Sequence, residues 1–270
     1  MLGPKLFGQK FDMTGRELHP SILRAYDIRG IVGETLNPDD AFAIGRAFAT
    51  RMGREDATRV CVGRDGRLSS PSLEAALVDG LRAGGRHVLR VGLGPTPMLS
   101  FSVFELEADA GIMVTGSHNP PKHNGFKLTL AGRPFFGEDI TALGALARSG
   151  DFAAGEGRVE DVPVADAYVA RLLRDVEVPA GLRAAWDAGN GAAGEVLSAL
   201  AAKLPGEHIL LNETIDGTFP AHHPDPTVPE NLVQLQDTVR EHGCGLGIAF
   251  DGDGDRIGVI DGAGRILWGD

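Results

Sequence analysis

The chain has 270 residues, 43% of them hydrophobic, and its 26 basic and 37 acidic residues give a net charge of −11. This acidic balance argues against nucleic-acid binding, which requires a basic face. No apolar run approaches the roughly 20 residues of a membrane span, and the first twenty residues lack the apolar stretch of a secretory signal. The sequence therefore predicts a cytoplasmic protein of about two domains, in which Cys61 and Cys244 are free, buried thiols.

Apolar runs alternate with helix-like segments from residue 58 onward. The pattern predicts strands at 58–63, 87–91 and 110–114 and helices at 70–82 and 97–107. Ser70 offers N-cap chemistry for the first of these helices, and two glycines after residue 83 end it. Strand–helix–strand units of this kind imply a largely parallel sheet with helices on both faces.

A segment rich in glycine and acidic residues, 149–165, lacks helical or strand periodicity and is interpreted as the boundary between two domains. The second unit is predicted to contain helices at 166–176, 192–203 and 231–242 and strands at 182–188, 208–211, 245–250 and 257–260. Residues 265–268 form a last apolar, strand-like run with no partner element after it. Glycine-rich turns follow strands in both units, and such turns bind ligands in α/β sheets.

Residues 115–127 place a hydroxyl, an imidazole and a cation after an apolar strand. Ser117 lies at a flexible turn beside His118 and Asn119, and Lys127 follows ten residues after the serine. The nucleophile elbow of α/β hydrolases needs glycine at positions 115 and 119, where this chain has threonine and asparagine, so that chemistry is excluded. A serine near donors and cations could carry a phosphoryl group. The alternative is a turn that merely connects a strand to a loop.

Asp251, Asp253 and Asp255 alternate with glycine directly after another apolar run. At this spacing the carboxylates can surround one point, where like charges about 4 Å apart cost about 4 kcal/mol per pair at an effective dielectric of about 20. A hard cation, Mg²⁺ or Ca²⁺, would relieve that cost. An EF-hand is excluded because Arg256 and Gly262 occupy its sixth and twelfth positions. The alternative is an acidic, solvated hairpin.

Two further turns contain residue types found at binding sites. The turn at 187–191 (DAGNG) resembles a phosphate-cradling loop but lacks the GxGxxG or Walker spacing. The loop at 222–225 (HHPD) has metal-ligand types, but two adjacent histidines cannot easily share one cation. Both turns are interpreted as structural.

Six motifs, in order along the chain, resemble the α-D-phosphohexomutases, and the bacterial phosphomannomutase/phosphoglucomutase type most closely. They are 24–30 (RAYDIRG), 63–67 (GRDGR), 115–120 (TGSHNP), 124–127 (NGFK), 222–226 (HHPDP) and 251–256 (DGDGDR). The resemblance implies two similar three-layer α/β/α domains with mixed, mostly parallel sheets. It places domain 1 with a phosphoserine loop at 1–160, domain 2 with a metal-binding loop at 161–262, and the start of a third domain at 263–270.

The resemblance also implies roles for individual residues and a phosphoryl-transfer reaction. It assigns catalysis to Ser117, His118, Lys127 and Arg29, phosphate or substrate binding to Tyr26, Arg24, Arg64, Asn119 and Arg256, and Mg²⁺ binding to Ser117, Asp251, Asp253 and Asp255. By this resemblance Ser117 donates a phosphoryl group to a hexose phosphate. The resulting glucose or mannose 1,6-bisphosphate then returns its other phosphate to the serine.

Members of this type have four domains and are often monomeric, and the sugar-selecting and phosphate-gripping loops of the last two domains have no counterpart here. The resemblance therefore implies little or no mutase turnover by the chain alone, and an exposed surface that favours self-association. Three alternatives stay open: a metal-dependent phosphatase, a non-catalytic binding fragment and, within the family, a phosphoglucosamine mutase. The last typically has alanine at the position of Gly116.

Overall fold

A computed structural model of the chain describes residues 14–177, 179 and 181–269. Within these residues the chain forms one sheet of seven strands and one of five, each flanked by α-helices. Residues 1–13, at the start of the expected first domain, and Asp270, at the end of the expected third segment, lie outside the described residues. The described part has no helix long and apolar enough to cross a membrane.

The first sheet combines a parallel half with an antiparallel half. Its strands are β1 (Ile28–Ile31), β2 (Arg59–Arg64), β3 (His87–Leu93), β4 (Ala110–Val114), β5 (His123–Leu130), β6 (Arg133–Pro134) and β7 (Arg158–Asp161). The order is β1-β5-β4-β2-β3-β7, with β6 beside β5. Strands β4, β2, β3 and β7 run parallel, whereas β1, β5 and β6 pair antiparallel. The predicted mixed α/β sheet is confirmed.

Four helices accompany this sheet: α1 (Pro38–Gly53), α2 (Ser70–Ala83), α3 (Thr96–Glu105) and α4 (Glu138–Ser149). The structure confirms the predicted strands and helices between residues 58 and 114. Helix α1 has no counterpart among the predicted elements. Most of its residues are buried, including the charged Asp40 and Arg46, so its sequence shows no clear polar face. Helices α1 and α2 approach closely at glycines: a side chain on Gly45 would collide with the α2 backbone.

The segment 149–165 is not the featureless boundary that the sequence predicts. It contains β7, which extends the first sheet by pairing in parallel with β3. All four residues of β7 are exposed, so its sequence lacks the alternation of a half-buried strand and only main-chain pairing defines it. The division of the chain between residues 160 and 161 stays a prediction, although the first sheet runs to Asp161.

The second sheet repeats the mixed construction on a smaller scale. Its strands are β8 (Arg183–Asp187), β9 (Glu207–Leu211), β10 (Leu246–Phe250), β11 (Ile257–Asp261) and β12 (Ile266–Leu267), and its helices are α5 (Ala165–Leu173), α6 (Gly194–Ala201) and α7 (Val233–His242). Strands β10, β8 and β9 are parallel, and β11 and β12 pair antiparallel. The run at 265–268 therefore has a partner, because β12 pairs with β11. The assignment of 263–270 to the start of a third domain stays a prediction, although Ile266–Leu267 pairs with the second sheet.

An apolar cluster joins the two units. Its buried members from the first sheet and α3 are Cys61, Leu89, Val91, Met98, Leu99 and Met113, and those from the second unit are Val164, Val169 and Val196. Cys61 and Cys244 are both free and buried, as the sequence predicts. Because the cluster packs α3 against the α5–α6 side of the second unit, it fixes how the loops of the two sheets meet.

Candidate active site

Glycine-rich loops follow β2, β4, β8 and β10 at the carboxyl ends of these parallel strands, as predicted. The loop after β4 and the loop after β10 come from different sheets and touch. The hydroxyl of Ser117 donates a hydrogen bond to Asp251 Oδ2 at 3.0 Å. The two backbones approach so closely that a side chain on Gly252 would collide with the Ser117 carbonyl oxygen. Residues 115–120 and 251–256 therefore form one site between the sheets.

Ser117 is held in an unusual backbone conformation. It is 1% exposed and has a φ of +50°, in the left-handed region that non-glycine residues rarely adopt. Its main-chain N–H donates to Thr115 Oγ1 at 2.8 Å, and its Oγ lies 3.3 Å from His118 Nδ1. Such a conformation costs on the order of 1 kcal/mol or more and persists only where the surroundings impose it.

Arg67 supplies much of that constraint, although sequence reasoning assigned it no role. Its fully buried guanidinium donates to four main-chain carbonyl oxygens at 2.6–2.9 Å, those of Ser117, Asn119, Pro120 and His123. Its guanidinium also lies 5.1 Å above the ring of Phe219, in the second unit. The motif at 63–67 contains two arginines, and nothing in its spacing tells which one faces the serine.

Asp65 also holds the serine loop in place through hydrogen bonds. Its two carboxylate oxygens accept hydrogen bonds from Ser70 Oγ at 2.5 Å, from Thr115 Oγ1 at 2.9 Å and from Gly116 N at 3.1 Å. They also accept from the main-chain N of Arg67 at 3.0 Å and from its Nε at 3.2 Å. Burial lowers the pKa of Arg67, and the charge of Asp65 opposes that change. A buried acid and a buried base thus set the shape of the serine loop.

The three carboxylates of the second loop lie together, as the sequence predicts. Asp251, Asp253 and Asp255 each place a carboxylate oxygen within 4.8 Å of the others, and the first two residues are fully buried. Burial, together with the charges of Asp253 and Asp255, raises the pKa of Asp251 to about 7. Burial acts to raise the pKa of Asp253, but the charge of Lys127 and the hydrogen bonds from Lys127, Thr96 and Asp251 together outweigh it and lower that pKa.

One buried oxygen of this cluster has no hydrogen-bond partner among the residues that the structure describes. Asp253 Oδ2 accepts from Thr96 Oγ1 at 2.5 Å and from Lys127 Nζ at 2.7 Å, whereas Asp253 Oδ1 is buried and unpaired. A buried, unpaired carboxylate oxygen is costly unless a cation or donor reaches it. Carboxylate oxygens are the ligands that Mg²⁺ and Ca²⁺ prefer. The cluster therefore fits a hard divalent cation.

Lys127 links the two loops. It lies on β5, and its Nζ donates to Asp253 Oδ2 at 2.7 Å and to Asp255 Oδ2 at 2.6 Å. Burial acts to lower the pKa of Lys127, but the two carboxylates outweigh it and raise that pKa. Lys127 is therefore charged at neutral pH and offsets part of the repulsion within the cluster.

His118 lies within the electrostatic influence of two arginines, Arg29 and Arg256. Burial lowers the pKa of His118, and the charges of Arg256 and Arg29 lower it further, so that its imidazole is neutral at pH 7. Arg29 is 8% exposed and pairs with Asp27, while its Nε is buried without a partner. The main-chain N–H of Arg256 donates to Asp251 Oδ1 at 3.1 Å.

The remaining predicted site residues have other contacts. Arg64 pairs with buried Glu74 at 3.1 Å instead of contacting the serine loop. Tyr26 is 82% exposed and stacks on Phe136, and the exposed Arg24 acts electrostatically on His123. Asn119 lies within the loop, where its Nδ2 donates to Gly116 O at 3.1 Å. Their expected roles in substrate binding stay predictions.

The turn at 187–191 and the loop at 222–225 pack on each other. Asp187 Oδ2 lies 2.8 Å from His222 Nε2, and Asp187 Oδ1 accepts from Gly189 N and Asn212 Nδ2, both at 2.9 Å. The second nitrogen of His222 lies 3.0 Å from the His223 carbonyl oxygen. The hydrogen bond to Asp187 raises the pKa of His222. These contacts agree with the structural interpretation of both motifs.

Comparison with known sequences matches nearly the whole chain to two profiles of one family. The profile for phosphoglucomutase/phosphomannomutase, alpha/beta/alpha domain I, matches residues 20–154, and that for domain II matches residues 166–264. The chain belongs to the phosphoglucomutase/phosphomannomutase family. This confirms the resemblance that the six motifs carry and the α/β/α fold that it implies.

Relatives within the phosphoglucomutase/phosphomannomutase family are longer than this chain. A phosphomannomutase/phosphoglucomutase of Pseudomonas putida is 46% identical over 253 residues, covering 94% of this chain and 55% of the relative. A phosphoglucomutase of Neisseria gonorrhoeae is 42% identical over 251 residues, covering 92% and 55%. The crystal structure of a family protein from Burkholderia thailandensis is 43% identical with a TM-score of 0.88, covering 93% of this chain and 57% of that one. The chain thus spans about half the length of these relatives.

Proposed function

We propose that the chain is the phosphoserine- and metal-bearing part of a phosphohexomutase that interconverts hexose 1-phosphates and 6-phosphates. The hydrogen bond between Ser117 Oγ and Asp251, which joins the serine loop to the carboxylate cluster, is the main support. It brings the buried Ser117 hydroxyl beside a cluster of acidic side chains that fits a divalent cation. Phosphoryl transfer depends on such positioning and charge neutralisation more than on covalent activation.

In this proposal Asp251, Asp253 and Asp255, with an oxygen of phosphorylated Ser117, would hold Mg²⁺, which would supply positive charge to neutralise the transferring phosphoryl group. A sugar hydroxyl attacks the phosphorus, the bond from phosphorus to Ser117 Oγ breaks, and a hexose 1,6-bisphosphate forms, while the proton lost by the sugar hydroxyl is balanced by the proton that Ser117 Oγ gains. The bisphosphate turns round in the site and returns its other phosphate to the serine.

Proton transfer needs groups near the serine and the incoming sugar. His118 is neutral and lies 3.3 Å from Ser117 Oγ, so we assign it the exchange of a proton with that oxygen. Lys127 and Arg29 are assigned to charge stabilisation or acid–base transfer at the sugar hydroxyl. Arg24, Tyr26, Arg64, Asn119 and Arg256 remain assigned to the binding of substrate or phosphate.

The first test is phosphorylation of the serine. Incubation of the purified chain with glucose 1,6-bisphosphate and Mg²⁺ should add one phosphoryl group in the intact mass spectrum. The variant Ser117→Ala should add none, whereas Ser72→Ala, which removes an exposed serine on α2, should behave as wild type. Absence of the modification from the wild type, or its presence in Ser117→Ala, would exclude Ser117 as the carrier.

A second measurement separates the alternatives. A phosphatase would release inorganic phosphate from the phosphorylated chain without sugar, whereas a mutase should transfer the group mainly to a hexose phosphate. Offering glucose, mannose and glucosamine phosphates in parallel identifies the preferred acceptor. A chain that neither accepts phosphate nor binds Mg²⁺ would be a non-catalytic binding fragment.

A further inference from the structure

We propose that Thr96, in the first unit, is a positioning residue for the metal site of the second unit. Its hydroxyl holds the carboxylate of Asp253 in the orientation that leaves Oδ1 available to a cation. This inference rests on the part of the proposed function in which Asp251, Asp253 and Asp255 bind a divalent metal. It adds a residue that lies in none of the six sequence motifs.

Thr96 makes two short hydrogen bonds to Asp253, one from its side chain and one from its main chain. Thr96 is the first residue of α3, and its Oγ1 lies 2.5 Å from Asp253 Oδ2. Its main-chain N–H, one of those that a helix start leaves without an intrahelical partner, donates to the Asp253 carbonyl oxygen at 2.8 Å. The start of α3 therefore contacts both the side chain and the backbone of one carboxylate residue.

The hydrogen bonds decide which carboxylate oxygen is free. Thr96 Oγ1 and Lys127 Nζ both donate to Asp253 Oδ2, at 2.5 and 2.7 Å, and Oδ1 has no partner although it is buried. A carboxylate rotates about its Cβ–Cγ bond unless its contacts fix it. With both donors on one oxygen, the other is the one left for a cation. Outer contacts of this kind orient metal ligands, and their loss typically costs about 10- to 100-fold in affinity.

Thr96 allows a cleaner test than Lys127. Lys127 carries a charge and contacts Asp253 and Asp255 together, so its removal changes the charge of the cluster and two carboxylates at once. Thr96 is neutral and its hydroxyl contacts only Asp253 within the cluster. Thr96→Val preserves the shape of the side chain and the main-chain hydrogen bond, and removes only the hydroxyl.

The experiment is a calorimetric titration of the purified chain with Mg²⁺, comparing wild type with Thr96→Val and Thr96→Ser. We expect Thr96→Val to raise the Kd about tenfold with unchanged stoichiometry, because Lys127 still holds Oδ2. Thr96→Ser keeps the hydroxyl and should recover most of the affinity. Thr58→Val is the matched control: Thr58 also contacts an aspartate, Asp109, but in a separate hydrogen-bond cluster, so its Kd should equal that of wild type.

Stoichiometry separates positioning from a structural role. If Thr96→Val lowered the fraction of binding-competent protein but left its Kd unchanged, Thr96 would matter only for folding and the inference would be overturned. A wild-type Kd at full stoichiometry in Thr96→Val would also overturn it, while the metal site itself would stand. If the wild type showed no more Mg²⁺ binding than Asp253→Asn, both the metal assignment and this inference would fall.

Discussion

The two sheets use the same arrangement of neighbouring parallel strands, but their buried acids differ in hydrogen bonding. Strands β2 and β8 lead to Asp65 and Asp187, and both oxygens of each carboxylate accept hydrogen bonds. Strand β10 leads to Asp253, which is equally buried but has one oxygen without a partner. Burial and a glycine-rich loop are common to all three acids. Of these three acids, Asp253 alone keeps a buried oxygen without a donor among the described residues, and it alone belongs to the carboxylate cluster.

The largest expected effect on stability comes from removing the Arg67 side chain, which with Asp65 holds the serine loop of the first sheet. Arg67→Met leaves buried Asp65 without its cation and removes the guanidinium donor from four carbonyl oxygens, of which that of Pro120 still accepts from the His123 N–H. We therefore expect a loss of about 4 kcal/mol in the free energy of unfolding. Urea denaturation with EDTA present measures it. The control is Arg64→Met, which should cost about 1 kcal/mol or less because Glu74 keeps Arg90. Equal losses in the two variants would contradict the bracing role of Arg67.

The second effect tests the bracing acid of the other sheet. Asp187→Ala leaves His222 and two N–H donors without their acceptor, and we expect a loss of about 3 kcal/mol. Because Asp187 lies outside the carboxylate cluster, the loss should be the same in EDTA and in Mg²⁺. A loss that appeared only with Mg²⁺ would mean that Asp187 belongs to the metal site.

The third effect is a loss of Mg²⁺-dependent stability on substitution of Asp253, the acid with the unpaired oxygen. At a Mg²⁺ concentration about 100 times the Kd, binding should stabilise the wild type by about 2.7 kcal/mol. Asp253→Asn should lose this gain while its stability in EDTA changes little, because the substitution also reduces repulsion among the carboxylates. The measurement is urea denaturation with and without Mg²⁺. If Asp253→Asn were still stabilised by Mg²⁺, Asp253 would not be a metal ligand and would not differ from Asp187 in this respect.

The fourth effect concerns pH and the Asp187–His222 pair. The pKa of His222 is raised in the folded state, so its contribution to stability is complete below the unfolded pKa of about 6.5 and is lost as pH rises through the folded pKa. His222→Gln should therefore be less stable than wild type at about pH 5.5, and this difference should shrink toward about pH 9. Stability curves by urea denaturation test this. A difference that grew with pH would contradict the assigned protonation.

The smallest effect is at the contact between units. Phe219→Leu removes the ring beneath the Arg67 guanidinium and should cost about 0.5–1 kcal/mol, because that cation–π contact is lost. Phe104→Leu, at a side chain that is 78% exposed, is the control and should cost less. Thermal unfolding measures both. No difference between the two variants would mean that the Phe219 ring adds nothing to the Arg67 network.

Much of the fold and the site could be predicted because their residues are local in sequence. The strands ending at Ser117 and Asp251 are short apolar runs followed by glycine-rich turns, and their periodicity is enough to place them. Helix α1 was missed because it is buried on several sides, and β7 because main-chain pairing alone defines it. In both cases the tertiary surroundings, rather than local pattern, decide the structure.

The parts of the site that were missed depend on contacts distant in sequence. Arg67 reaches carbonyl groups about fifty residues away, and Thr96 contacts a residue 157 positions further on. Arg64 and Arg67 belong to one motif, yet only Arg67 contacts the serine loop. No spacing rule distinguishes them, since the choice follows from the direction in which the chain turns after β2.

The apolar cluster between the units also bears on how this part of the molecule moves. Met98 and Leu99 of α3 pack with Val169 and Val196 as side chains do inside a single domain. Sliding one unit over the other would expose this surface to water and disrupt the contacts of Thr96 and Lys127 with Asp253. Relative movement of the two units is therefore opposed by the same contacts that hold the serine loop beside the carboxylate loop.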